Sequence, residues 1–404
     1  MSDRLVRSGL LLPAAACWGA ALIGTALPGA AGPAGAFALT AGAALAVLAV
    51  RRRTRGRVLL VAAALACGAV LLAVAAGDAR RHPPGLPMGR PVVVDVRLDS
   101  AGTSDGNDAA GALAQRAVLR GAIVRMPGRA VDVPVTLFAN GRPPSAAGAV
   151  VRLRVLLRAT PPTDTAAAVG SVLGRAVVVQ PPPPEQRVAA ALRAGLLERS
   201  GRLPGDGAAL LPGLAVGDTS RVGADLRQAM RDASLTHLTA VSGANCAVVT
   251  LAVFALGAML RLPRALRIVS AGAALAGFVV LVTPQPSVVR AAAMAAVALL
   301  CALRGGRAAG VPALAVAVLV LLVLDPWFAW SAGFVLSAAA TAGLLLLAVP
   351  LADRLARVLP RRLALVLAVP IAAQAACQPV LVLLQPGIPV FGVCLLYTSD
   401  AADE

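Results

Sequence analysis

The sequence predicts a mainly α-helical, polytopic transmembrane bundle with one inserted, small β-barrel domain of OB-like type outside the membrane. Three observations support this fold class. Of the 404 residues 58% are hydrophobic, only 14% are charged, and one polar stretch separates two groups of apolar runs. An ordinary soluble domain carries about a quarter charged residues, so this chain has too much apolar surface for a water-soluble core. Aromatic residues amount to only 3%, and abundant small residues suit helices packed closely in lipid.

Three apolar runs open the chain, at 8–27, 34–50 and 58–76. Each is close to the roughly 20 residues with which a helix crosses about 30 Å of hydrocarbon. Arginines precede the first run and separate the second from the third. The positive-inside rule therefore places these flanks in the cytoplasm and directs the third helix outward. The first run has an alternative interpretation as a cleaved signal peptide, which would leave the later topology unchanged.

Residues 78–231 form a polar insert rich in Pro and Gly, and the topology places it on the outer side of the cytoplasmic membrane. Short β-prone stretches between turn-forming clusters predict five strands. These strands are Val92–Leu98, Ala117–Met126, Val131–Phe138, Ala149–Arg158 and Arg175–Gln180. Apolar and basic residues alternate in the fourth strand, which is typical of a half-buried strand. Five short strands in a basic module favour a small OB-like barrel. A helix is expected after it, at Glu185–Arg199.

Six further apolar runs follow, at 235–260, 268–283, 288–303, 309–325, 331–350 and 363–384. The turns between them alternate between basic and non-basic at every crossing. The basic turns contain Arg261, Arg264 and Arg267, then Arg304 and Arg307, then Arg354, Arg357, Arg361 and Arg362. This alternation predicts a multi-pass protein of the cytoplasmic membrane. It also explains much of the net charge of +18, all of it from arginine, without invoking nucleic acid.

The predicted organisation has five parts. They are N-terminal transmembrane helices at 1–77, the OB-like domain at 78–184, a linker with amphipathic helices at 185–234, an incomplete transmembrane domain at 235–394 and a tail at 395–404. The tail holds the single Tyr of the chain and three acidic residues, and it interrupts what should be another span. It is expected to be foreign to the rest of the sequence.

Polar side chains inside apolar runs are the candidate functional residues, because a bilayer penalises polar groups. They occur in LTHLTAVSGANC from Leu235, PQPSVVRA from Pro284, DPWF from Asp325 and GFVLS from Gly333. The residues expected to line a path or carry these motifs are His237, Ser242, Gly243, Asn245, Ser287, Arg290, Asp325, Gly333 and Ser337. Arg290 is the most informative, since a charge inside a span costs at least about 2.5 kcal/mol unless it finds water, a partner or the interface.

The elements LPGLAVGD, HLTAVSGAN, PSVVRA, DP and GFVLS, in this order, resemble the competence domain of the ComEC family. The resemblance includes the insert, which corresponds to the family's OB-like domain, and extends to about Gly392. It implies a channel component that takes up single-stranded DNA across the cytoplasmic membrane in natural transformation. Single-stranded DNA and the lipid bilayer are the expected partners. Other competence-machinery proteins and a second copy of the chain are further candidates.

The sequence departs from the family in two ways. Many members carry a second histidine where this chain has Asn245, which argues against a metal at His237. The family often ends in a metallo-β-lactamase-like nuclease domain, whose His/Asp-rich motif does not occur in this sequence. A truncated member without catalytic residues, metal or cofactor is therefore expected. The six cysteines, none in CxxC spacing, are expected to be small core residues.

Each candidate also has a simpler interpretation. His237 would equally cap or pack at a helix start, and Ser242 and Ser337, with Gly243, would serve helix packing. Arg290 would snorkel to the outer interface from its position after a proline turn.

The same holds for the remaining charged candidates. Asp325 would pair with an arginine at the outer end of a helix. The insert arginines Arg152, Arg154 and Arg158 would either contact DNA or form a solvated strand face.

Three other functions remain open. A small-solute transporter would use broken helices near the midplane, although the sequence has no visible inverted repeat. An intramembrane enzyme would use His237 as base and Ser242 as nucleophile, which needs a helix break between them. A membrane scaffold with an external binding module is the third.

Overall fold

A computed structural model describes residues 10–50, 55–99, 103–104, 116–140, 147–232, 243–282, 286–303 and 310–384. The described chain is mainly helical and contains one β-sheet. The helices are α1 (Leu11–Ala26), α2 (Pro28–Val50), α3 (Arg55–Arg81), α4 (Pro184–Ser200), α5 (Gly207–Val216), α6 (Ala224–Asp232), α7 (Gly243–Met259), α8 (Arg264–Val282), α9 (Pro286–Leu303), α10 (Gly310–Leu324), a 3-10 helix (Pro326–Trp330), α11 (Ala332–Leu355) and α12 (Arg361–Leu384). The tail at 395–404 lies outside the described residues.

A helix occupies each predicted apolar run as far as the described residues extend. Within that part of the chain, five helical segments are long and apolar enough to cross a membrane: Pro28–Ala46, Val58–Arg81, Arg264–Val282, Ala332–Leu355 and Arg361–Leu383. Helices α1, α7, α9 and α10 are apolar but shorter. The number of crossings and their orientation stay predictions.

One apolar cluster joins the N-terminal helices to the later ones. Cys17 of α1, Val70 of α3, Leu322 of α10 and Phe334 of α11 are fully buried in it. The ring of Phe334 lies 5.2 Å, centroid to centroid, from that of Trp18. Helices far apart in the sequence therefore share one core.

Small residues allow close backbone approach between neighbouring helices, as is usual in membranes. A Cβ added to Gly343 of α11 would lie 2.6 Å from Ala376 Cβ and 2.7 Å from the carbonyl oxygen of Ala372, both on α12. The α11–α12 contact thus depends on a residue without a side chain at this position.

The sheet lies between α3 and α4 in the sequence. Its strands are β1 (Pro91–Leu98), β2 (Thr103–Ser104), β3 (Arg116–Met126), β4 (Arg129–Asn140), β5 (Val150–Ala159) and β6 (Ala168–Gln180). The strand order is β1-β5-β6-β4-β3-β2, and β1 also pairs with β3. The pairings of the five long strands therefore run from β1 through β5, β6, β4 and β3 and return to β1. All pairs are antiparallel except β4–β6, which is parallel.

All five predicted strands are present, with differences at their ends. Strand β6 begins at Ala168 rather than Arg175, and the short β2 was not predicted. The added part of β6 pairs with β4 from Ala168 to Ser171, so tertiary pairing and not local sequence preference makes it a strand.

Strand β5 shows the alternation that its sequence predicts. Val151, Leu153, Val155 and Leu157 are buried in the sheet core, while the arginines between and after them are exposed. The prediction of a half-buried strand is confirmed.

Candidate functional site

Arg290 lies in the second turn of α9, and its side chain reaches across to α11. Its Nε donates a hydrogen bond to Ser337 Oγ at 3.0 Å, and its Nη2 donates to the same oxygen. Its Nη1 donates to Met294 Sδ at 3.1 Å, one helical turn further along α9. Only 4% of Arg290 is exposed. The structure therefore brings together Arg290 and Ser337, two of the residues that the sequence identified separately.

The charge of Arg290 is not neutralised within the part of the chain that the structure describes. The ion pairs found there lie at His82–Asp78, Arg97–Asp132, Arg152–Asp95 and Arg202–Glu198. A guanidinium offers five N–H donors, and here a single hydroxyl and a thioether sulfur receive three of its hydrogen bonds. A buried charge whose partners among the described residues are neutral is costly to keep in the fold.

An apolar cluster lies along the neighbouring helices. Cys246 of α7, Leu275 and Val282 of α8, and Val288 and Ala291 of α9 are buried in it. The sequence positions of Val288 and Ala291 flank Arg290. The cation thus lies in the part of α9 that packs into an apolar cluster.

Asn245 connects two of the sequence motifs. Its Nδ2 donates to the carbonyl oxygen of Leu214 at 3.0 Å, which ties the first turn of α7 to α5. Helix α5 is capped at its C-terminus by Gly217, whose φ of 74° is a left-handed conformation that glycine adopts without strain. The motif LPGLAVGD therefore lies next to the end of the motif HLTAVSGAN. The order of the two motifs in the sequence does not predict this contact.

The other predicted residues are placed as follows. His237 and Ser242 lie outside the described residues, and Gly243 begins α7. Ser287 lies in the first turn of α9 and Gly333 in the first turn of α11. A Cβ at Gly333 would meet nothing within 4 Å, so Gly333 is not required for close helix packing.

Asp325 follows α10 and caps the 3-10 helix. Its Oδ1 accepts a hydrogen bond from the backbone N–H of Trp327 at 3.1 Å. No ion pair with an arginine is found for it among the described residues. Its neighbour Trp327 lies under the guanidinium of Arg81, which is 4.0 Å from the ring centroid. Sequence reasoning missed Arg81 and Trp327, because an arginine at the end of an apolar run and a lone tryptophan carry no pairing signal.

The three candidate arginines of the insert are exposed on β5 but are not equivalent. Arg152 forms two hydrogen bonds with Asp95 of β1, from Nε to Oδ1 at 2.7 Å and from Nη2 to Oδ2 at 3.0 Å. These hydrogen bonds hold the pKa of Asp95 below its usual value. Arg154 and Arg158 form no ion pair in the described structure.

Two cysteines that the sequence does not link are neighbours. Cys17 Sγ and Cys67 Sγ lie 3.8 Å apart between α1 and α3, and the five described cysteines are free thiols. The described residues contain no group of three or more His, Cys, Asp or Glu that could hold a metal ion.

Comparison with known proteins identifies the second half of the chain. Residues 214–395 match the family model described as "Competence protein". The chain carries a ComEC-type competence domain. ComE operon protein 3 of Bacillus subtilis (strain 168) is 31% identical over 144 residues, which is 36% of this chain and 19% of that protein. No solved structure matches the chain.

The competence domain contains the motif residues from Asn245 to Ser337, including the Arg290–Ser337 pair. Together with the five long apolar helices, it makes the chain a membrane protein. The chain spans about a fifth of the length of ComE operon protein 3. The insert with the sheet precedes the matched residues.

Proposed function

We propose that this chain is a channel component of the cytoplasmic membrane through which single-stranded DNA enters during natural transformation. The observation that carries the proposal is the buried guanidinium of Arg290, whose described partners are the neutral Ser337 and Met294. A polyanion does not cross hydrocarbon unaided, and cationic groups neutralise its phosphates. A guanidinium binds phosphate oxygens through two parallel hydrogen bonds. A phosphodiester would therefore replace Ser337 as the acceptor for Arg290.

The proposed topology is a multi-pass protein whose insert lies on the outer side of the membrane. The alternation of basic and non-basic turns supports it, since positive loops stay in the cytoplasm. A strand of DNA arriving from outside would then meet the insert before the helices.

We propose further that the insert is a small OB-like barrel that contacts DNA. If the five long strands are numbered in order, their pairings run 1-4-5-3-2-1, with strands 3 and 5 parallel. A five-stranded Greek-key barrel of this kind binds oligonucleotides in other proteins. Few aromatic residues are available for base stacking, so the contact would be mainly electrostatic and sensitive to salt.

Replacing Arg290 tests the channel assignment. Arg290→Met removes the charge, keeps the length and suits an apolar surrounding, so it should fold and reach the membrane at normal abundance. Transformation in the source organism should nevertheless fall by about tenfold or more, the loss expected when an interaction of about 1.4 kcal/mol is removed. Arg290→Lys should retain part of the activity, because it keeps the charge but not the planar fork.

The control is a variant that removes an arginine of the same domain at a different place. Arg357 lies after the end of α11 and is exposed, so Arg357→Ala should leave transformation unchanged. Normal transformation by Arg290→Met at normal membrane abundance would sink the assignment of Arg290 to the path.

A further inference from the structure

Three segments that are distant in sequence meet at the side chain of Trp327. They are the end of α3, the loop between β5 and β6, and the 3-10 helix of the competence domain. We call this contact the Trp327 joint, and its members are Gly77, Arg81, Pro162, Asp164, Asp325 and Trp327. It connects the β5–β6 loop to the helices, next to the point where the chain leaves α3 for β1.

Polar contacts in the joint reach from the helices to the loop. Trp327 Nε1 donates a hydrogen bond to the carbonyl oxygen of Pro162 at 2.8 Å. Arg81 Nη2 donates to the carbonyl oxygen of Asp164 at 2.5 Å, while its guanidinium covers the indole ring. Only 4% of Trp327 and 6% of Arg81 are exposed. A desolvated cation over an indole is among the stronger contacts of this kind.

The helices hold the indole in one place. The side chain of Asp325 accepts a hydrogen bond from the backbone N–H of Trp327. Val74 and Ala31 are buried beside the indole ring of Trp327. A Cβ at Gly77 would lie 2.5 Å from Cζ3 and 2.7 Å from Cη2 of that ring. Only glycine at position 77 leaves room for the ring against α3.

Hydrogen bonds within the loop, and one from the loop to the sheet, hold the loop in place. Thr160 Oγ1 donates to the carbonyl oxygen of Ala166, and Asp164 Oδ1 accepts from the backbone N–H of Ala166 at 3.0 Å. The next residue, Ala167, donates its N–H to the carbonyl oxygen of Pro134 in β4 at 2.8 Å. The end of the loop is thus anchored to β4 by one backbone hydrogen bond.

We propose that the Trp327 joint is a positioning device that fixes the orientation of the sheet relative to the helices. The Asp325-Pro326-Trp327 segment then serves as a docking element for the insert, and Asp325 acts as a cap for that element and not as a lining residue. The two chain connections alone would leave the insert some freedom to change its orientation. The contacts of Arg81 and Trp327 with the loop restrict that freedom. The proposal does not depend on what crosses the membrane.

Hydrogen exchange of the whole protein in lipid nanodiscs tests the joint. Trp327→Phe keeps an aromatic ring but removes the N–H that Pro162 accepts. We expect amide exchange in residues 160–168 to become roughly tenfold faster, while exchange in the β3–β4 hairpin stays unchanged. The matched control is Trp330→Phe in the same 3-10 helix, since the indole of Trp330 donates instead to Thr25 within the helices at 2.8 Å.

A second variant displaces the ring and leaves every donor in place. Gly77→Ala should produce the same loop-specific increase in exchange, whereas Gly19→Ala, where a Cβ meets nothing within 4 Å, should not. Unchanged loop exchange in both Trp327→Phe and Gly77→Ala would overturn the proposal. An equal increase in the hairpin would also overturn it, because the contact would then support overall stability and not orientation.

Discussion

Arg152 and Asp95 stand directly opposite each other in the β1–β5 ladder and form an ion pair with two hydrogen bonds. The carboxylate side chain is 6% exposed and the guanidinium side chain 50%. The pair neutralises one of the three arginine charges on the exposed side of β5. Arg154 and Arg158 keep their charges available on the same strand.

The first prediction concerns DNA binding by these arginines. Arg154→Ala or Arg158→Ala should weaken the binding of single-stranded DNA and lower the slope of log K against log salt by about 0.7 for each lost phosphate contact. Arg152→Ala should have a smaller effect, because Asp95 already compensates its charge. Titration of the whole protein in nanodiscs with a labelled oligonucleotide at several salt concentrations measures this. Equal losses in all three variants would contradict the prediction.

The second prediction concerns acid stability. The hydrogen bonds from Arg152 lower the pKa of Asp95 from its usual value, which is about 3.9. A carboxylate with a lowered pKa contributes stability that is fully present above its unfolded pKa and is lost as the pH falls through the folded pKa. Asp95→Asn should therefore destabilise the protein near pH 7, by about 1 kcal/mol since Arg152 is half exposed. Below about pH 4 the difference from the unmodified protein should shrink.

Thermal unfolding between neutral and acid pH measures this effect. Asp132→Asn is the matched control, because Asp132 lies 3.6 Å from Arg97 with both side chains largely exposed. It should change the unfolding temperature little at any pH. A pH-independent loss in Asp95→Asn would refute the role of the ionised pair.

The third prediction concerns the acceptor for Arg290. Ser337→Ala removes the oxygen that receives two hydrogen bonds from the guanidinium and should destabilise the protein by about 1–3 kcal/mol. Thr341→Val is the control on the same helix, since the Thr341 hydroxyl donates only to the carbonyl oxygen of Ser337. Combining Ser337→Ala with Arg290→Met should cost less than the sum of both changes. Additive effects in thermal unfolding would argue against direct coupling.

The fourth prediction compares two glycines of α11. Gly343→Ala places a Cβ within 2.6 Å of Ala376 Cβ and should destabilise the α11–α12 contact by about 1–3 kcal/mol. Gly333→Ala meets nothing within 4 Å and should be neutral or slightly stabilising, because alanine favours the helix. Resistance to unfolding in detergent measures both. A similar loss in Gly333→Ala would contradict the prediction that the close contact at Gly343 causes the destabilisation.

Much of the local structure follows from the sequence. The alternation of Val, Leu and Arg in β5 predicts both its strand and its buried side, because a strand exposes successive side chains on opposite faces. The first residues of β6 could not be predicted in this way. Ala168 and Gly170 have little intrinsic strand preference. They adopt the strand conformation because they pair with β4 on one side and β5 on the other.

The candidate site was only partly predictable. Arg290 stands out from its apolar run, but its acceptor Ser337 is 47 residues away, and only the packing of α9 with α11 brings them together. The sequence marks Trp327 only as part of the DPWF motif, and it does not single out Arg81. The hydrogen bonds of Trp327 to Pro162 and of Arg81 to Asp164 form only when the loop packs against the helices. His237 and Ser242 lie outside the described residues, so their roles stay predictions.

The position of β6 has a consequence for how the insert is made. This strand lies between β5 and β4, although both are synthesised before it. A nascent chain that has not reached Gln180 therefore exposes unpaired edges on both of these strands, and such edges associate readily with other chains. The β3–β4 hairpin needs only local contacts, whereas the parallel β4–β6 pair joins residues such as Val135 and Ala168, which have the whole of β5 between them in the sequence. Closing the sheet is thus the late and slow event in its biogenesis.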